Sequence, residues 1–328
     1  MISKDRHIDA VITWVDGEDP VHREKRLNAL NDTENGKINT LPSGADTTRF
    51  SNNDEIKYCI NSIIRFAPWI RKIFIVTDDQ TPDFLSDSFM HEHDIHIVDH
   101  KEIFESYEWA LPTFNTRTIE SGLWRIPGLS DRFIYFNDDF VLSKKVEPED
   151  FFQDGKAVIQ GNWHKINDYG PFRMKLNELF SKATKKLFGI TRSMHTLLQI
   201  RSAQLAGFKN RYYFIPHVPH PVHTETIRSF FEDNPEMFEQ NIRYPFRSTD
   251  QFSAIFLANY LDIQDHKAVL RKNKQAMMIH GEMDPWFLLN YKLKRVRNRK
   301  VKYVCLQAME SFRPKQQKQI REVLTSHI

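Results

Sequence analysis

Arg132-Phe-Ile-Tyr-Phe-Asn-Asp-Asp-Phe-Val-Leu142 is the stretch on which the fold turns. Phe133 to Phe136 have the aromatic and β-branched composition of a buried strand. The run stops at Asn137, Asp138 and Asp139, then becomes apolar again at Phe140. Carboxylates at the tip of a buried strand are costly to desolvate unless something compensates them. A divalent cation is the usual compensation, and a cation held by one or two carboxylates commonly also holds a phosphate. A strand-end turn is the competing reading, because Asn and Asp are favoured in turns. Spacing alone leaves both open.

The sequence upstream repeats the pattern. Ile8 to Val15 reads as a buried first strand, broken at Asp16-Gly17 and followed by a helix from Pro20. Residues 32–48 are polar and read as a loop. Asn53 or Asp54 is placed to cap a helix with Ile56, Ile60, Ile63 and Ile64 on one face, ending before Pro68. Ile73–Val76 and Ile95–Val98 are further strands, followed by Asp78-Asp79 and Asp99. A helix over 116–124 precedes the opening strand. Alternating strands and helices predict an open, mainly parallel α/β sheet, which binds ligands at its strand carboxyl ends. Asp16, Asp78 or Asp79, Asp99 and Asp138/Asp139 should then share one edge.

The second half reads differently. Residues 172–208 look helical and basic, and 171–210 is expected to form an inserted helical subdomain within a single catalytic domain over 1–328. Tyr212–Ile215 precedes Pro216-His217-Val-Pro-His220-Pro221, too proline-rich for regular structure. Helices are expected around 224–232, 235–242 and 249–260, a strand at 303–306 and a helix from about 314. Lys292 to Lys302 carries seven Lys or Arg in eleven positions, within a basic segment over 290–328.

Composition narrows the function. Lys and Arg number 46 against 43 Asp and Glu, so the net charge of +3 argues against nucleic acid as a partner. Cys59 and Cys305 lie in apolar-patterned segments without CxxC spacing and read as buried thiols, which suits a cytoplasmic setting. The first residues run straight into strand-like sequence, with no apolar leader. No stretch approaches the ~20 apolar residues of a membrane span. The basic run suits an anionic membrane surface or anionic polymer, or is a solvated face.

His217 and His220 stand out in their proline-bracketed loop, where a positioned proton acceptor, a zinc site and plain turn histidines are all open. Zinc is disfavoured, since no Cys or third His lies at ligand spacing. Arg243 and Arg247 flank Tyr-Pro-Phe, and an arginine fork suits phosphate oxygens. Glu120 lies in Asn115-Thr-Arg-Thr-Ile-Glu120, on the helix before the opening strand.

Together these motifs resemble the Stealth family. Ile8-Asp-Ala-Val-Ile-Thr-Trp-Val-Asp-Gly-Glu-Asp-Pro20 resembles its first conserved region. Arg49 to Tyr58, continuing through Ala67 to Asp79, resembles the second. Leu111 to Glu120 with Ile126 to Asp139 resembles the third. The His217–Arg247 segment resembles the later catalytic part, and Val304-Cys-Leu-Gln307 the fourth region, more weakly.

The resemblance implies an open Rossmann-like or GT-A-like nucleotide-sugar-binding sheet. It implies transfer of a hexose-1-phosphate, N-acetylhexosamine-1-phosphate for preference, from a UDP-sugar to a hydroxyl of an oligosaccharide or polysaccharide acceptor. UMP leaves and a phosphodiester of a bacterial capsule or cell-surface polymer forms. Capsule assembly proteins are expected partners, and the basic run, separately from the resemblance, points to a cytoplasmic protein peripheral to the inner face of the cytoplasmic membrane. Matched by position, Glu120, Asp138, His217 and Arg247 fall on residues the family needs for activity, with His220 as a second base or its orienter. Mg²⁺ or Mn²⁺ is expected on Asp138 and Asp139. Trp14, Asp16, Gly17, Asn53, Asp54 and Asn115 are expected around the nucleotide sugar. Two alternatives stay open: a metal-dependent glycosyltransferase releasing UDP, and a non-catalytic protein binding anionic glycan or membrane.

Overall fold

The computed structural model describes residues 7–35, 54–166 and 195–328. The first half runs β1 (Asp9–Thr13), α1 (Pro20–Asn35), α2 (Glu55–Phe66) and β2 (Ile73–Thr77). It continues with α3 (Asp87–Glu92), β3 (Ile95–Asp99), α4 (His100–Ile103), α5 (Thr116–Gly122) and β4 (Arg132–Asn137). β5 (Phe140–Leu142), β6 (Phe152–Gln153) and β7 (Lys156–Lys165) follow. Beyond residue 194 come α6 (His195–Leu205), β8 (Arg211–Phe214), β9 (His220–His223), α7 (Thr224–Asp233), α8 (Pro235–Ile242) and α9 (Ala254–Gln264). Next are β10 (Ala268–Lys272), β11 (Ala276–His280), α10 (Trp286–Arg297), β12 (Tyr303–Gln307) and α11 (Pro314–His327).

Every residue of β1 and β2 is buried, which is why these strands read as continuous apolar runs. The central sheet has the order β3-β2-β1-β4-β9, parallel except for β9. It is the open, mainly parallel α/β sheet that the strand–helix alternation predicts. Asp9 opens β1 wholly buried, and its carboxylate takes both arms of Arg71, at 2.8 and 2.6 Å, plus Ser130 N at 2.8 Å. α2 buries Ile56, Cys59, Ile60 and Ile63, and ends at Phe66 ahead of Pro68. Asp54 precedes it in the left-handed region and makes no side-chain cap. Asn53, the other expected cap, lies outside the described residues, as do residues 36–48 of the expected loop.

Register decides where the chemistry gathers. Thr13 sits opposite both Val76 and Asn137, and Thr77 opposite Asp99. The strands end level, so the polar residues that follow them share one edge.

Two smaller sheets complete the frame. β11-β12-β5 pairs β5 antiparallel to β12, while β10-β7-β6 carries β8 on β7. The expected irregular stretch 216–221 is only partly irregular. Its end, His220-Pro221, begins β9 at the sheet edge, where a missing N–H is tolerated. The helix expected at 249–260 starts later, at Ala254, because Ser253 caps it through Phe256 N. Of the expected subdomain over 171–210, the described part is α6 and the turn after it. Ser202 Oγ of α6 donates to Ser253 O at 3.1 Å.

Candidate active site

The strand-end carboxylates divide into those already bound and those not. Lys25 Nζ donates to both oxygens of Asp78 at 3.1 Å. Asp99 accepts from Asp79 N at 2.7 Å and caps α4 through Lys101 N. Asp138 and Asp139 have less. Burial raises the Asp138 carboxyl to about 6, and burial plus Asp138 raises Asp139 well above the usual range. Cys305 Sγ donates to Asp139 Oδ2 at 3.5 Å, while buried Asp139 Oδ1 has no partner among the described residues. A half-compensated pair of hard oxygen ligands suits Mg²⁺ or Mn²⁺, which need only one or two carboxylates when phosphate supplies the rest. Among the described residues no cluster of three or more His, Cys, Asp or Glu forms a metal cage.

Glu120 is linked to them through Tyr135, on which all three carboxylates act. Ser253 Oγ donates to Glu120 Oε2 at 2.5 Å, and burial raises the carboxyl to about 7 despite that bond and nearby Arg117. Tyr135 of β4 also hydrogen-bonds Glu120. Its hydroxyl lies 2.7 Å from Asn137 Oδ1 and 3.0 Å from Thr13 Oγ1. One phenolic proton therefore has two claimants, Asn137 and ionised Glu120.

A buried polar network fixes this helix. Asn115 is wholly buried, caps α5 through Arg117 N, and donates to Tyr244 O at 3.0 Å and Gln251 Oε1 at 2.7 Å. Arg117 Nη1 donates to Ser248 O at 2.6 Å. Asn115, one of the residues expected around the nucleotide sugar, joins α5 to residues 244–251 through its amide. Arg247 hangs from that segment, half-buried, with Nη2 3.4 Å from Thr116 Oγ1. Thr116 and Glu120 are one turn apart on α5, so Arg247 and Glu120 approach the same face. Arg243 is exposed.

The histidines separate. His220 pairs with Tyr135 across β9 and β4, and its ring stacks on Tyr135 at 6.5 Å with Phe256 edge-on at 5.3 Å. It is 4% exposed, and burial holds it down to about 3. His217 is half-buried and held at about 4 by burial and by His280. His195 stacks on it at 4.0 Å. At neutral pH all of these are uncharged, the form able to accept a proton.

His280 and Gln307 carried no signal in the sequence. They face each other across β11 and β12, whose inner residue Cys305 reaches Asp139. Leu306 N also donates to Asp139 O at 2.9 Å. Period-two alternation puts Cys305, Gln307 and their β11 partners Met278 and His280 on one face. The seam is tight: a Cβ on Gly281 would lie 1.9 Å from Ala308 O, and Ala308 itself is left-handed at φ 52°. A third histidine near His217 could have been noticed only by knowing that β11 ends there.

Trp14, Asp16, Asp54, Lys57, Asp79 and Gln80 line a cleft of about 360 Å³ at the tips of β1 and β2. Gln80 clamps the Asp16 backbone on both sides, accepting from its N at 2.8 Å and donating to its O at 3.0 Å. Gly17 is buried in the same turn.

This is the layout of an open-sheet α/β enzyme with its polar groups gathered at the strand tips. Residues 6–34 match the model of Stealth protein conserved region 1, and 49–159 that of conserved region 2. The second match takes in both blocks read above as separate second and third regions. The chain is 32% identical to the receptor polysaccharide phosphotransferase WefC of Streptococcus gordonii, over 86% of each chain. It is 40% identical to a capsular polysaccharide phosphotransferase of Actinobacillus suis, over 46% of this chain and 40% of that one. An exopolysaccharide phosphotransferase of Streptomyces coelicolor is 35% identical over 76% of this chain, which spans only 24% of that relative's length. The chain belongs to the Stealth family. Among solved structures, a galactosyltransferase LgtC complexed with donor and acceptor sugar analogs aligns with a TM-score of 0.44, at 9% identity and over 97% and 96% of the two chains.

Proposed function

We propose that this protein transfers a sugar-1-phosphate from a UDP-sugar to a hydroxyl of a glycan acceptor, releasing UMP. The donor class is an N-acetylhexosamine and the product a phosphodiester in a cell-surface polysaccharide. The observation that carries this reading is the Asp138–Asp139 pair, half-buried at the tip of β4, with the buried Asp139 Oδ1 left without a partner among the described residues. Family membership supports the reaction type.

The reaction breaks a P–O–P bond, so catalysis consists mostly of positioning and of spreading charge on the transferring phosphoryl group. Asp138 and Asp139 would hold Mg²⁺ or Mn²⁺, which neutralises charge on the diphosphate. Trp14, Asp16 and Asp54 line the cleft that would take the nucleotide end, with Gly17 buried in the turn behind Asp16. Arg247, only weakly engaged with Thr116, is available to pair with phosphoryl oxygens. His217, neutral and half-buried, accepts the proton of the attacking hydroxyl. His220 is sealed among aromatic rings and acts as an orienting neighbour instead of a second base. Glu120 holds Tyr135 and Ser253 in place at neutral pH.

Incubation with UDP-N-acetylglucosamine, Mg²⁺ and an oligosaccharide primer is expected to yield UMP and a phosphodiester signal in the phosphorus NMR spectrum of the product. Release of UDP across a panel of UDP-sugars and primers would refute the phosphotransferase reading in favour of a glycosyltransferase.

A further inference from the structure

α10 buries Leu289, Leu293 and Val296 along its inner face. Its outer face begins apolar where a charged surface is the norm. Trp286 is 69% exposed, Phe287 62% and Tyr291 57%, with Met283 at 52% just ahead of the helix. Monomeric soluble proteins seldom gather large apolar side chains on a surface without a partner for them. The same surface then turns basic, with Lys294, Arg297, Arg299 and Lys300 exposed. Phe287, Tyr291 and Lys294 follow one another at helical spacing, so aromatic and cationic groups share a single face. Lys292 stands apart, its ammonium bound to buried Asp284 at 2.6 and 2.7 Å.

We propose that this face of α10 docks on an anionic lipid bilayer. The aromatic cluster enters the headgroup layer, and the four exposed cations meet lipid phosphates. Trp and Tyr favour that layer because each has an apolar body and a polar tip. Each Lys or Arg near an anionic surface adds roughly fivefold to partitioning. A protein partner fits less well, since lysine is depleted in the cores of protein interfaces. The pattern is that of a helix lying in the interface plane. α10 begins six residues after His280 in the chain. Among the described residues no helix is long and apolar enough to cross a membrane, so the contact is peripheral.

The test is flotation of the full chain with vesicles of phosphatidylcholine alone or with about one-third phosphatidylglycerol, at low and high salt. Binding is expected to the anionic vesicles, weakened at least tenfold by high salt. Trp286→Ser with Phe287→Ser should abolish it, as should Lys294→Glu with Arg297→Glu and Lys300→Glu. UMP release with a water-soluble primer should not change in either variant. Glu at three exposed lysines elsewhere, Lys101, Lys156 and Lys209, should leave binding intact. Three results would each overturn the proposal: no binding to either vesicle, equal binding to both, or equal loss in the control variant.

Discussion

Residues 9–137 and 195–328 reach the same edge by opposite routes. In the first stretch four parallel strands end in level register, so the polar residues after β1, β2, β3 and β4 are brought together by the sheet itself. In the second stretch His195, His217, His220 and His280 come from a helix, a loop and two strands of different sheets. The first half makes a frame and supplies carboxylates. The second supplies imidazoles and an arginine, held by side-chain contacts across large sequence separations. Single substitutions in a frame built from register should show in stability, and in a site built from such contacts they should show in activity.

That contrast can be broken most directly at Asp138. Asp138→Asn should cut UMP release by about 10³-fold, because the charge that balances a cation and diphosphate is gone. Its melting temperature should hold or rise, since a desolvated carboxylate has been removed. Activity within tenfold of the parent would exclude Asp138 as the charge centre. His217→Ala should lose about 10²–10⁴-fold in turnover while UDP-sugar affinity, read by calorimetry, barely moves. A matching loss of affinity would make it a binding group.

Asp9 is the counterpart in the frame. Asp9→Ala strands a partly buried Arg71 and should cost about 3–5 kcal/mol in urea denaturation. Its activity per folded molecule should be unchanged, and a purely catalytic defect would contradict the division drawn here.

The two halves should also carry opposite pH signatures. Glu120 titrates near 7 when folded and near 4.5 when free, so it binds extra protons in the native state between those values. Stability from this group is therefore lost as pH rises from 4.5 to 7, by roughly 3 kcal/mol at most. His217 and His220, lowered to about 4 and 3 from 6.5, do the reverse and destabilise the fold as pH falls below 6.5. Glu120→Gln should thus gain stability over the parent at pH 8 but not at pH 4, measured by thermal melts across pH. A gain independent of pH would rule out the carboxylate as its source. The smallest effect is expected at His280. His280→Ala should raise the low-pH limb of the activity profile by a fraction of a unit and leave turnover at neutral pH within about twofold, since it removes a neighbour that disfavours charge on His217.

How much of this was legible follows the same line. β1, β2 and β4 are visible because strands covered on both faces are almost continuously apolar, β3 because its isoleucines and valine form a short run at the sheet edge, and Asp138 because a carboxylate at such a tip needs a reason. β7 went unread: its first half is buried and its second exposed, so neither alternation nor an apolar run appears. Gly161, where a Cβ would lie 2.2 Å from Phe214 O, marks the close approach of β8 only once both strands are seen. β10 and β11 are short and flank a polar turn, and no local pattern distinguishes them from loop. The hydrogen bonds that tie Asn115 to Tyr244 and Gln251 could not be read locally, because those partners lie more than a hundred residues away. His280 was invisible for a similar reason.

Within four residues the chain passes from one sheet to another. Asn137 registers with Thr13 in the central sheet, and Phe140 with Cys305 in the smaller one. Asp138 and Asp139 are therefore a splice between two stiff plates, and sliding one plate on the other must change the distance between their carboxylates. The pair is a gauge of how the plates sit. Damage at the far seam, such as a side chain forced in at Gly281 against Ala308, should register there as a displaced carboxylate pair while both plates are still intact.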